Sequence, residues 1–114
     1  MAVSYETVEE VIKTGLNATY KSANTDGHMF VNDGRSLVHV KNASGSAVTA
    51  TIETGATRDG YAIADQEVSV PAGEDRFIGP FPPRTFNVQS GDDRGKVKLT
   101  FSAITSVTVA FLKI

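Results

Sequence analysis

Residues 96–103, Lys-Val-Lys-Leu-Thr-Phe-Ser-Ala, alternate apolar and polar side chains without a break. A period of two sends Val97, Leu99 and Phe101 to one side of an extended chain and Lys98, Thr100 and Ser102 to the other. That is the pattern of a strand with one face on a core and one in water. The stretch Ala47–Glu53, AVTATIE, repeats it, with Val48, Ala50 and Ile52 facing one way and Thr49 and Thr51 the other.

Turn chemistry falls between the alternating runs. NASGS (42–46) separates LVHVK from AVTATIE, TRDGY (57–61) carries an Asp-Gly step, and PAG (71–73) links QEVSV to EDRFIG. SGDDRG (90–95) divides TFNVQ from KVKLTF, and the chain ends on VTVAFLKI. Turns every ten or so residues predict an all-β fold, an antiparallel β-sandwich or jelly-roll-like barrel of about seven to eight strands. Composition agrees, since Val, Ile and Thr total 31 against only 4 Leu, a ratio that favours strands. The expected core is Val48, Ile52, Val70, Ile78, Val97, Leu99, Phe101, Val107 and Val109.

The chain's 114 residues suffice for one domain and one modest core. There is no cysteine, so thiolate metal sites and disulfides are excluded. The net charge of −2 and the lack of a basic cluster argue against nucleic acid as a partner. No apolar run is long enough to span a membrane, and the first residues lack the order of a signal peptide; a soluble protein made in the cytoplasm is expected.

Residues 1–36 read as an N-terminal arm and loop, and 37–114 as the β-domain. Thr7–Lys13 fits either a capped helical turn, with Thr7 and Glu10 as a capping box, or an extended arm favoured by its β-branched residues. Tyr20–Ser36, rich in Asn, Asp, Gly and Ser, reads as loop. On this division, removing residues 1–21 is expected to leave a folded domain.

The segment Val68–Pro83, VSVPAGEDRFIGPFPP, exits a turn through three prolines within four residues. Proline fixes φ and donates no ladder hydrogen bond, so this exit is a stiff extended ledge bearing Phe77 and Phe81. Either phenylalanine can plug the core, the more ordinary reading for Phe77, or serve as a contact ordered before binding.

Catalytic chemistry finds little support. His39 alternates with Val38 and Val40 and is expected to face outward; His28 lies in the polar loop. His39 has no serine elbow, cysteine or second histidine near it in sequence, and for His28 the role weighed is tuning of an interface with pH, so no enzymatic activity and no cofactor are expected. The Asp-Gly steps at 26–27, 33–34 and 59–60 read as turns, and Gly91-Asp92-Asp93 lacks the alternating oxygen ligands of a calcium loop, so no metal is expected. Asn17-Ala-Thr19 and Asn42-Ala-Ser44 match the glycosylation triplet by chance.

Three motifs together, Phe-x-Asn-Asp-Gly-Arg (30–35), Val-Lys-Asn-x-Ser-Gly-Ser (40–46) and Val-Pro-Ala-Gly-Glu-x-Arg-x-Ile-Gly-Pro-Phe-Pro (70–82), resemble small structural proteins of tailed bacteriophages. The likeness runs from about Leu16 to the C-terminus. Such proteins are encoded beside the major capsid protein and are described as head decoration, head-fibre or minor structural proteins. The resemblance implies a virion component on a β-rich fold without fixing its position; the expected role is a decoration (cement) protein on the capsid exterior, whose partners are the major capsid protein and, in a trimer, its own copies. A neck, tail or head-fibre component is the alternative, and a small sugar- or surface-binding β-domain is a second. The absence of Trp and the supply of only three Tyr and six Phe disfavour the sugar reading. The candidate interface residues are Val8, Val11, Ile12, Leu16, Tyr20, Phe30, Phe77, Phe81, Pro82 and Pro83.

Overall fold

Alternation becomes a pair of sheets around one core. The structure, a computed structural model, describes residues 3–55, 57–58, 60–62, 64–89, 91 and 93–113. Asp59 and Asp92, named above for turn and calcium readings, lie outside the described residues. The strands are β1 (Ser4–Glu6), β2 (Glu9–Glu10), β3 (Lys21–Ser22), β4 (His28–Val31), β5 (Ser36–Asn42) and β6 (Val48–Ile52). They continue as β7 (Thr57–Arg58), β8 (Tyr61–Ala62), β9 (Gln66–Val70), β10 (Asp75–Ile78), β11 (Lys96–Phe101) and β12 (Val107–Lys113). One short helix, α1 (Pro83–Phe86), interrupts them.

The first sheet runs β1-β4-β11-β6-β9. The second runs β10-β5-β12-β2, with β3 also on β12, and β7 pairs with β8 apart from both. The all-β class therefore holds, with ten strands in the two main sheets where seven to eight were expected. The expectation of purely antiparallel pairing is corrected. β1 lies parallel to β4, with Ser4 opposite His28 and Glu6 opposite Phe30, and β2 lies parallel to the end of β12. Both parallel pairs come from the N-terminal segment, which packs alongside the strands rather than turning back in a hairpin.

One core cluster draws on both sheets. Val48, Ala50, Ile52, Val70, Val97, Leu99 and Phe30 come from the first, and Val38, Val40, Ile78, Val107, Val109 and Phe111 from the second. Leu99 faces Ile52 on one side and His28 on the other, so the central strand β11 is held by contacts to both neighbours. Every residue expected in the core is buried except Phe101, which is half-buried at the end of β11.

Two other readings change. Tyr20–Ser36 is not all loop: it holds β3 and β4, and β4 sits inside the first sheet between β1 and β11, hidden by its turn-rich flanks. Thr85–Gln89 is not a strand, because Pro83 at the first helical position, with its fixed φ, starts α1 instead. The Thr7–Lys13 alternative resolves as extended chain, with β2 in it.

The motif asparagines have structural work. Asn32 donates to the Phe81 carbonyl at 2.9 Å and to Asn87 Oδ1 at 2.7 Å, and Asn87 donates back to the Asn32 carbonyl at 2.9 Å. Asn42 donates to the Ser46 and Val70 carbonyls at 2.8 and 3.0 Å, which ties the 42–46 turn to the end of β9. Both asparagines are buried, so these bonds satisfy groups that would otherwise be costly. Gly79, at φ 132°, lets the chain leave β10 tight against β5; a Cβ there would stand 2.9 Å from Leu37 Cβ. That close passage delivers Phe81 into the core.

Candidate functional site

The outward face of the second sheet carries a polar cluster built by strand register. β10 is an edge strand whose only sheet partner among the described residues is β5, and its pairing sets Phe77 opposite His39 and Asp75 opposite Lys41. Phe77 lies flat on the His39 ring, with centroids 3.9 Å apart and planes 5° from parallel. Its other face is open: Phe77 keeps 68% of its surface exposed. Tyr20, arriving from the arm, meets the His39 ring edge-on at 5.6 Å.

His39 thus points outward as its alternation requires, yet it is buried, because Phe77 and Tyr20 cover it. Both ring nitrogens are engaged. Nε2 lies 2.6 Å from Asp75 Oδ2, and Nδ1 lies 2.7 Å from the Tyr20 hydroxyl. A carboxylate only accepts, so Nε2 carries hydrogen and donates to Asp75; Nδ1 then has a lone pair for the Tyr20 O–H. The Lys41 ammonium sits over the Tyr20 ring, 4.2 Å from its centroid. The hydrogen bond from His39, aided by the charge of Lys41, holds the Asp75 carboxyl below its usual range.

His28 makes a second carboxylate pair, this one inside the fold. Its Nδ1 lies 2.7 Å from Glu6 Oε2, and its Nε2 accepts the Asn24 N–H at 3.0 Å. Glu6 also accepts the Ser4 hydroxyl at 2.5 Å and has Lys21 Nζ 3.9 Å away. Burial works to raise the Glu6 carboxyl, but the bonds from Ser4 and His28 and the charge of Lys21 outweigh it, and the net shift is downward. The two histidines therefore fasten the N-terminal segment at two points, Glu6 on the first sheet and Tyr20 on the second.

The expected interface residues divide. Phe77, Val11, Ile12, Tyr20 and Pro82 are exposed. Val8, Leu16 and Pro83 are half-buried, and Val8 packs against the core. Phe30 and Phe81 are corrected to core residues: they are 1% and 2% exposed, their ring centroids lie 5.9 Å apart, and Phe81 also packs against Phe86. Of the two ledge phenylalanines, the one read more readily as a core plug is outside and the other is inside. The extended exit from β10 inverts them, since it passes Phe81 under the end of the sheets. His39 and Asp75 were absent from the expected set. Their pairing depends on the β5–β10 register, which no local pattern encodes.

Family models, curated proteins and solved structures offer no match to the chain. Among the described residues no group of three or more His, Cys, Asp or Glu side chains is placed to hold a metal ion, and no helix is long and apolar enough to cross a membrane.

The lowered carboxyls predict an acid-sensitive attachment of the arm. A folded pKa below the unfolded one contributes stability that is present above the unfolded value and is lost as pH falls through the folded value. Both Glu6 and Asp75 are shifted in that direction. Stability measured by urea titration should fall as the pH drops below about 4. Glu6→Gln, which removes one of these titrations, should flatten the acid limb; a limb as steep as the parent's would exclude Glu6 as a source.

Proposed function

We propose that the chain is a structural component of a tailed-bacteriophage virion, a decoration protein that binds the outside of the capsid shell as a small homo-oligomer, a trimer. Its fold is read as a jelly-roll-like sandwich with the arm laid against it. The observation that carries the reading is Phe77: a large apolar ring, 68% exposed, held rigid on an edge strand by its stack on His39. A ring ordered before binding loses little conformational freedom when a partner covers it. Val11 and Ile12, exposed on the arm, add apolar surface of the same kind. Contacts that exist only in the assembled shell stabilise it as any ligand of the native state does, and many copies on a symmetric lattice add. No enzymatic activity, cofactor or nucleic-acid partner belongs to this reading.

Quantitative mass spectrometry of purified virions tests it. Copies on the order of hundreds per particle fit a shell protein repeated over the capsid lattice. About a dozen or fewer would instead place the chain at the neck or tail, and absence from virions would end the virion reading. Phe77→Ala should keep its fold and lower shell occupancy by about tenfold or more.

A further inference from the structure

The cluster around His39 has the parts of an activated nucleophile. A hydroxyl, Tyr20, stands 2.7 Å from a ring nitrogen free to accept its proton. The opposite nitrogen of that ring is fixed by a carboxylate, Asp75, at 2.6 Å. The ring is clamped by Phe77, which stacks on its face, so its two nitrogens are held on their partners. A positive charge, Lys41 Nζ, lies over the phenol ring where negative charge on the oxygen would be drawn. Nucleophile, base and orienting acid in hydrogen-bond sequence are the geometric signature of covalent acyl chemistry on unrelated folds.

We propose that Tyr20 is an acyl acceptor, activated by the His39–Asp75 pair, that takes acyl groups from activated aryl esters. The proposal is independent of the virion reading and concerns a modification site rather than a turnover enzyme. The Tyr20 oxygen attacks the ester carbonyl carbon as its proton passes to His39 Nδ1. The tetrahedral adduct collapses, the bond to the aryloxide breaks, and the imidazolium returns the proton to the departing aryloxide. Tyr20 ends as the O-acyl ester, a phenol is released, and nothing is oxidised or reduced. Asp75 takes no proton; its charge offsets that of the imidazolium while the step lasts.

The whole protein supplies its own reference. Tyr61 is 76% exposed, against 36% for Tyr20. Access alone therefore favours acylation of Tyr61. The protein is incubated with p-nitrophenyl acetate, quenched over time and digested, and acetylation is located by peptide mass spectrometry. General-base assistance should make Tyr20 react at least about a hundredfold faster than Tyr61. His39→Gln should bring Tyr20 down to the Tyr61 rate, and Asp75→Asn, a change at an exposed carboxylate, should slow it with the fold intact. A Tyr20 rate equal to or below that of Tyr61 in the unaltered protein overturns the proposal, and this comparison needs no variant to fold. So does a Tyr20 rate unchanged in Asp75→Asn.

Discussion

His28→Ala should lower the folding stability by about 3–5 kcal/mol. Two losses combine at this position. The imidazole packs between Phe101 and Phe111, with ring centroids 5.9 and 5.4 Å away, so its removal leaves a void in contact with the core. It also deprives Glu6 of its donor at 2.7 Å while the carboxylate, with 3% of its side chain exposed, has little access to water in its place. Ser4 and the more distant Lys21 remain and offset part of that loss. For a domain of this size the total is a large share of the margin between folded and unfolded states. Urea denaturation of the variant measures it directly. A loss under about 1 kcal/mol would mean that Glu6 swings out to solvent and that the pair does not hold the arm. His28→Gln, which keeps a donor near Glu6, should recover part of the difference.

The strands that alternate cleanly were legible, and so was the core they share. KVKLTF and AVTATI each put one face inward, and Val97, Leu99, Val48, Ala50 and Ile52 are all buried there. What escaped was pairing between distant segments. HMFV at 28–31 has no alternation to announce it, because His28, Met29 and Phe30 are all buried: Phe30 joins the core, His28 is held by Glu6, and Met29 lies opposite Tyr5 on β1. Residues covered on both faces lose the period-two signature, and here the cover on one side is the chain's own N-terminus. The burial of His39 was hidden for the same reason. Its direction followed from the alternation, but its burial depends on Tyr20 and Phe77, which are brought to it by the arm and by the neighbouring strand. Phe77 and Phe81 sit four residues apart on what looked like one ledge, and only the passage of Gly79 against Leu37 separates them into surface and core.

Deleting residues 1–21 should abolish cooperative folding, the reverse of what the division into arm and domain suggests. The deletion removes β1 and with it the parallel pairing that completes one side of β4, together with the bond from Ser4 N–H to the Gly27 carbonyl. It removes Val8 from the core, worth about 1–2 kcal/mol by area. It also removes Glu6 from His28, leaving a buried imidazole without its acceptor. On the second sheet it takes away β2, the bond from Val11 N–H to the Lys113 carbonyl, and Tyr20 from over His39. Ala110 and Leu112, outward on β12 yet buried, stand on the face of the sheet that this segment borders. Each loss is modest, but together they amount to roughly the 5 kcal/mol at the lower end of a small domain's whole stability. The truncated chain should therefore show no sharp thermal transition by far-ultraviolet circular dichroism. A sharp transition within a few degrees of the full chain's would show that β1 and β2 add nothing to the fold. The segment would then be a detachable tether, and the two histidine–carboxylate pairs would act as its release points rather than as parts of the core.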